Sequence, residues 1–240
     1  MNVVIKSAMM GAGLAAAVSV AHAADMPGNL PLPAAIRPHS TSGLSGWYLR
    51  GDFAYRWGLV RGADPAPGFL EPANGKLGTA YGGGLGVGVK SDWLRVDLTL
   101  DAASKMKYES TTVTTNDTTA KVSAVTAMIN GYLDLATWYG VTPYVGAGFG
   151  GARLQITDYQ STVAPPFGGD TSRSQWNVAW AAMGGMAYQI APNMQVDVGY
   201  RYINLGDITT GTDASGALTL KGIANHEVRV GLRWNFDDLN

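Results

Sequence analysis

From residue 46 onward, polar and apolar residues alternate along most of the chain, the period-two signature of β-strands with two unlike faces. Eight stretches carry it. The first, Trp47 to Trp57, sets Trp47, Leu49, Phe53, Tyr55 and Trp57 against Tyr48, Arg50, Asp52, Ala54 and Arg56. The second, Tyr81 to Lys90, opposes Tyr81, Leu85, Val87 and Val89 to Gly82, Gly84, Gly86 and Gly88. In the third, Trp93 to Leu100, four aliphatic residues face away from Arg95, Asp97 and Thr99. The fourth, about Ala120 to Leu135, places Val125, Ala127, Ile129, Leu133 and Leu135 opposite Asn130, Tyr132 and Asp134. The fifth, Thr142 to Ile156, changes phase near Gly150-Gly151, which predicts a β-bulge there. Gln175 to Gln189, Met194 to Ile203 and Val228 to Phe236 complete the set, the last as VRVGLRWNF with Arg229 and Arg233 on its polar side.

The connections between these stretches alternate in length. Those after the second, fourth and sixth strands are short. Those at about Gly58 to Ala80, Asp101 to Thr119, Thr157 to Ser174 and Asn204 to Gly222 are long. In an up-and-down barrel, strict alternation puts all long loops on one rim and all short turns on the other, the arrangement of a bacterial outer-membrane barrel. A soluble barrel of lipocalin type would also alternate, with its apolar residues inside. Three features favour the membrane reading. The non-apolar face is rich in charge and glycine, as a narrow lumen requires. Trp47, Trp57, Trp93, Trp176, Tyr188 and Trp234 sit near strand ends, where aromatic girdles belong. The last strand ends on Phe236 at the close of an apolar, aromatic face. The predicted fold is therefore all-β: an eight-stranded antiparallel up-and-down transmembrane β-barrel.

Composition narrows the chemistry. Charged residues are 15% of the 240, against about 25% in ordinary soluble domains. Cysteine is absent, which removes disulfides, thiolate metal sites and a lipid-modified N-terminus. A net charge of −1 offers no basic footprint for nucleic acid. Residues 1–23 read as a signal peptide, with Lys6, a small apolar stretch from Ala8 to Val20, and Ala21-His22-Ala23 as cleavage site. Residues 24–44 contain four prolines and read as an extended periplasmic linker. The barrel is expected over 45–236, followed by a tail at 237–240.

Four segments, GWYLRGDFAYRWG, INGYLDLATWYGVTPYVGAGFG, DVGYRYINLGD and HEVRVGLRWNF, resemble in order the alphaproteobacterial outer-membrane immunogenic protein family. These are opacity- and OmpA-like surface antigens often labelled "porin family". The resemblance covers about Ser45 to Phe236 and implies export to the cell outer membrane of a Gram-negative cell. It implies as partners the outer-membrane lipid and lipopolysaccharide, the barrel-assembly machinery, and a host or surface ligand at the loops. Trp234 and Phe236 correspond to the assembly signal. Asp237 to Asn240 depart from the family pattern, in which the aromatic residue is usually last. No peptidoglycan-binding domain is expected.

The expected role is that of a surface antigen supporting the envelope, with adhesion through the long loops. The alternatives are small-molecule or haem binding or a narrow porin-like passage, and an outer-membrane hydrolase. Parity aims Arg50, Asp52, Arg56, Arg95, Asp97, Asp134, Asp197, Arg201, Glu227, Arg229 and Arg233 into the lumen. Mixed signs in so narrow a space predict a network of ion pairs, since an unpaired buried charge is strongly destabilising. GAGFGG (Gly146 to Gly151) fits G-x-G-x-x-G, but no helix follows to hold a pyrophosphate. His39 and His226 are too isolated for a metal cluster, so neither metal nor cofactor is expected. His226 falls on the outward face beside inward Glu227, and no serine is singled out to complete a triad. The Thr-rich stretch Thr111 to Thr119 reads as a polar loop.

Overall fold

A computed structural model describes residues 46–64, 76–111, 117–161, 172–209 and 219–236. The predicted leader, linker and tail lie outside these, as do parts of the four long connections. Among the described residues there are eleven strands: β1 (Trp47–Leu59), β2 (Gly62–Asp64), β3 (Lys76–Leu77), β4 (Thr79–Ser91), β5 (Leu94–Ala103), β6 (Met106–Thr111), β7 (Asp117–Asp134), β8 (Val141–Ser161), β9 (Arg173–Ala191), β10 (Met194–Thr209) and β11 (Thr219–Asn235). All pairings are antiparallel. The ladder runs β7-β5-β4-β1-β11-β10-β9-β8 and closes by pairing β8 with β7, giving an eight-stranded barrel. The short strands are continuations at the upper end. β2 extends β1 against β11, while β3 and β6 extend β4 and β5. Backbone bonds bridge the breaks, from Gly78 N to Lys107 O at 2.8 Å and from Ser104 N to Tyr81 O at 2.8 Å.

Three tight connections sit at the lower end. Asp92 turns β4 into β5 with φ of 47°, a left-handed conformation that aspartate tolerates. Tyr139 and Gly140, both at positive φ, turn β7 into β8, and Pro192-Asn193 joins β9 to β10. The long connections leave and return at the opposite rim.

The strands exceed what a bilayer needs. A membrane-crossing strand takes about 9–11 residues, whereas β7, β8, β9 and β11 have 18, 21, 19 and 17. Their pattern divides in two. In the lower part the outer wall is apolar, with Leu98, Ile129, Phe149 and Val230 exposed, and the interior is charged. Aromatic side chains edge this band, Trp47, Trp93, Tyr188 and Trp234 below and Trp57, Trp176, Trp180 and Tyr202 above. On β1 the band runs from Trp47 to Trp57, ~33 Å along the strand. At a tilt near 40° that is ~25 Å of height, the apolar thickness of an outer-membrane barrel.

Above the band the faces exchange character. On β8 the inward residues change from Gly146, Gly148 and Gly150 to Ala152, Leu154 and Ile156, and the outward ones from Val145 and Phe149 to Arg153 and Gln155. β7 does the same, with Val122 and Ala124 buried and Lys121 exposed. On β10, Asp197 and Arg201 give way inside to Ile203, Leu205 and Ile208. Together with Met106, Tyr108, Leu220 and Ile223 these residues build an apolar core inside the upper barrel.

This exchange corrects two sequence expectations. The register of β8 is unbroken through Gly150 and Gly151, which pair with Met128 and Ala127, so there is no bulge at that place. The chain keeps its phase while the surroundings change, from lipid outside to water outside. The irregularity in β8 lies higher, where the ladder shifts between Thr119 and Lys121 and Asp158 adopts φ of 55°. The strands also continue into all four stretches expected as loops. β6 and β7, for example, pair as far as Thr111 with Asp117.

Candidate functional site

The lower lumen holds six arginines, Arg50, Arg56, Arg95, Arg201, Arg229 and Arg233, and six carboxylates, Asp52, Asp97, Asp101, Asp134, Asp197 and Glu227, all with nearly inaccessible side chains. Alternation on five strands aims them there, and equal numbers allow mutual neutralisation. Glu227 is the upper hub, at 2.9 Å from Arg56, 2.7 Å from Arg201 and 3.4 Å from Arg229. Asp101 accepts from Arg201 at 3.1 Å and Arg229 at 2.7 Å. Arg229 reaches down to Asp52 at 3.3 Å, and Arg50 links Asp52 at 2.7 Å to Asp97 at 3.0 Å. Nearer the lower rim, Asp134 receives Arg95 at 2.8 Å and Lys90 at 3.0 Å, and Arg233 meets Asp197 at 3.3 Å.

Tyrosines tie these groups together. Tyr48 donates to Asp97 at 3.0 Å, and Arg50 donates to the Tyr132 hydroxyl at 2.8 Å. The Arg95 guanidinium lies 4.7 Å from the Tyr132 ring centre and 4.9 Å from that of Tyr144, while Arg233 lies 5.5 Å from Tyr48. Glycine makes room for the rings. A Cβ at Gly88 would stand 2.5 Å from Tyr48 Cζ and 2.6 Å from the Val96 carbonyl oxygen. The space left among Arg50, Asn130, Tyr144 and Arg229 is a cavity of about 20 Å³, roughly one water. Above it lies the apolar core, where an ion would find few ligands to replace its hydration shell.

Residues 10–236 match the outer membrane protein beta-barrel domain family. The chain belongs to that family. An uncharacterised protein of Brucella abortus (strain 2308) is 31% identical over 95% of this chain and 97% of its own length. A candidate adhesin of Rickettsia conorii is 26% identical, covering 82% of this chain and 84% of its own. The outer membrane protein OprG of Pseudomonas aeruginosa shares the fold, with a TM-score of 0.56 at 14% identity over 81% of this chain and 97% of OprG. The barrel is thus an outer-membrane barrel. In barrels of this membrane the short turns face the periplasm and the long connections face outward.

Every lumen residue named from the sequence lies on the inner side of the wall, and Asp101 joins them. Sequence reading placed Asp101 in a loop. Its signal was the parity of Arg95, Asp97, Thr99 and Asp101, which runs one step past the predicted strand end. Asn130 was read as inward but not as a partner. It donates to Asp97 at 2.8 Å and Thr99 at 3.0 Å.

His226 faces outward among the rings of Trp57, Tyr200 and Tyr202, with centroids 5.7, 5.8 and 5.3 Å away, and its Nδ1 meets the Tyr200 hydroxyl. Glu227 is on the opposite side of the wall, so the two form no catalytic dyad. Among the described residues no group of three or more His, Cys, Asp or Glu is arranged to hold a metal. Trp234 and Phe236 stack at 6.4 Å on the outer face, and Phe236 N donates to Trp47 O at 2.8 Å, fastening the last strand to the first.

Proposed function

We propose that the protein is a non-conducting, non-catalytic surface barrel. It anchors in the outer membrane by its lower half and uses its upper half as a rigid stalk that lifts four connecting segments clear of the lipid headgroups. Contact with external surfaces then occurs through those segments, which supports the envelope role and adhesion. The observation that carries this reading is the stacking of two unlike fillings in one barrel, paired ions below and an apolar core above. A channel or solute path needs a continuous wet route, and the cavity among the paired ions of the lower lumen holds about one water. Resemblance to a rickettsial candidate adhesin along most of both chains supports the contact role.

Planar-bilayer recording of the refolded protein tests the first part. No stable unitary conductance is expected, and a reproducible step would overturn the filled-lumen reading. Display of the whole chain on a non-adherent bacterial host tests the second. Binding to cultured cells should rise above that of a host carrying the same barrel with Thr162–Thr171 replaced by a short Gly-Ser linker. Equal binding by the two, repeated for each of the other three segments, would remove adhesion through the loops.

A further inference from the structure

The outward rings along the upper aromatic edge touch one another in an unbroken series. Tyr81 meets Tyr55 at 5.4 Å between ring centres, Tyr55 meets Trp57 at 6.2 Å, and Trp57 stacks on His226 at 5.7 Å with 16° between planes. From His226 the series continues to Tyr202 at 5.3 Å, and from there to Trp180 at 5.5 Å. It crosses five consecutive strands of the wall, β4, β1, β11, β10 and β9. Tyr200 branches from it, 6.4 Å from Trp57 and 5.8 Å from His226. A membrane girdle needs rings at this height, but it needs neither their mutual contact nor a hydrogen-bonded imidazole among them.

Apart from His226 these rings are all Tyr or Trp, side chains that give up a single electron readily, and the chain has no cysteine to compete with them. They differ in where a proton can go. The radical cation of a phenol is a strong acid, so a tyrosine is oxidised easily only where a base stands within reach of its hydroxyl. With its own proton on Nε2, His226 accepts the Tyr200 O–H at Nδ1. The Tyr202 hydroxyl instead accepts from Arg61 at 3.0 Å, a guanidinium that takes no proton and whose charge opposes loss of an electron beside it. Tyr48 also has a base, Asp97 at 3.0 Å, but it stands in the lumen, across the wall from the series.

We propose that the series is a one-electron relay with the Tyr200–His226 pair as its terminus, which makes the outer wall a stoichiometric sink for small inorganic radicals at the cell surface. The radical takes one electron from an exposed ring such as Trp180 and leaves as its anion. The hole passes from ring to ring until Tyr200 fills it. Tyr200 then loses one electron and its hydroxyl proton moves to His226 Nδ1, so the products are a neutral tyrosyl radical and an imidazolium. Only the Tyr200 O–H bond breaks and only the His226 Nδ1–H bond forms. Trp57 lies against both members of the pair, so the last electron transfer, from Tyr200 to an oxidised Trp57, spans 6.4 Å between ring centres.

Pulse radiolysis of the folded full-length barrel in detergent tests the relay, with the azide radical as oxidant because it removes single electrons from Trp and Tyr. Folding of each variant is verified by the gel-mobility difference between boiled and unboiled samples. The unmodified protein should show a tryptophan radical that converts to a tyrosyl radical at a rate independent of protein concentration. Tyr200→Phe should cut the tyrosyl yield at least threefold. His226→Phe, which keeps a ring in place and removes the base, should slow the conversion at least tenfold. Tyr188→Phe, at the lower aromatic edge, should change neither. A further measurement requires no substitution to fold. After a limited radical dose, peptide mapping of the unmodified protein should find Tyr200, 43% exposed, modified more than Tyr188, 52% exposed, the reverse of their exposure. An unchanged tyrosyl yield in Tyr200→Phe, an unchanged rate in His226→Phe, or modification that follows exposure in the unmodified protein would overturn the proposal.

Discussion

The same eight staves form two different proteins, one above the other. Below the upper aromatic edge, the medium outside is lipid, so apolar residues face out and the narrow interior receives the polar ones. Above it the medium is water, and the arrangement reverts to that of an ordinary soluble barrel with Leu154, Ile156, Ile203 and Ile223 inside. On β8 the exchange needs no change of backbone register, since that strand stays in phase from Tyr144 to Ile156, whereas β10 and β11 shift register around Gly206. The comparison shows that "inside" and "apolar" are independent variables in a barrel, and that each is set by what lies across the wall. It also separates the forces holding each half. Charge-assisted hydrogen bonds in a dry lumen hold the lower one, and apolar burial and close packing hold the upper.

The largest effect is expected from unbalancing the lower half. Glu227→Gln removes the one carboxylate shared by Arg56, Arg201 and Arg229 and leaves buried positive charge without compensation. Breaking a buried ion pair in this way costs about 3–5 kcal/mol. Urea unfolding in detergent, followed by the loss of the fast-migrating folded band, should report a destabilisation of that order. A change below about 1 kcal/mol, the size of an exposed pair, would mean that the lumen is well hydrated.

An apolar truncation should act in the upper half with comparable but smaller force. Leu154 is fully buried in the upper core, where it lines a small cavity with Val122 and Ile223. Leu154→Ala is expected to cost about 2–4 kcal/mol through lost burial and the cavity left behind. Hydrogen exchange should show faster opening of the upper segments of β7, β8 and β9, with the membrane-embedded amides unaffected. Uniform loss of protection along the strands would show that the halves melt as one unit.

How much of this was legible in the sequence follows the same division. The lower half reads directly, because lipid outside and charge inside give strict alternation over ten residues, as in VRVGLRWNF. Loop-length alternation then supplied orientation and strand number. The upper half was read as loops because Asp101–Thr119 and Asn204–Gly222 are rich in Thr, Ser, Gly and Asp, which suggest turns. The alternation there has the opposite sense and a weaker contrast, Ala and Val against Thr, Ser and Lys. The apparent phase slip at Gly150-Gly151 was the visible trace of the boundary, since glycine has no side chain to mark either face. Ion pairing followed from charge balance and confinement. The particular partners did not, since Arg229 touches Asp101 at a separation of 128 residues, which depends on barrel closure.

A substitution moved vertically along the outer wall sharpens the boundary itself. Ile129→Arg puts a cation on the lipid-facing wall within the apolar band, where such a change costs about 2–4 kcal/mol. Gln155→Arg puts the same side chain on the exterior of β8 above the aromatic edge, where surface changes stay within about 0.5 kcal/mol. Refolding yield into lipid vesicles, measured by gel mobility, should fall for the first and hold for the second. Similar losses for both would move the membrane boundary above Gln155 on β8.

The smallest effect concerns pH above that boundary. Asp158 lies outside the membrane band, and its hydrogen bond and charge pairing with Lys121 hold its carboxyl below the usual aspartate value. A depressed carboxylate pKa stabilises the folded state fully above the unfolded value, near 3.9, and that contribution is lost as pH falls through the lower folded value. Both side chains are half exposed or more, so solvent and salt screen the pair. Asp158→Asn is therefore expected to leave unfolding at pH 7 unchanged within error and to abolish only one low carboxyl titration in the NMR spectrum, below the usual aspartate range. A clear drop in stability at neutral pH would show that the Lys121–Asp158 contact is shielded from water by one of the neighbouring connecting segments, and that the stalk continues above the described strands.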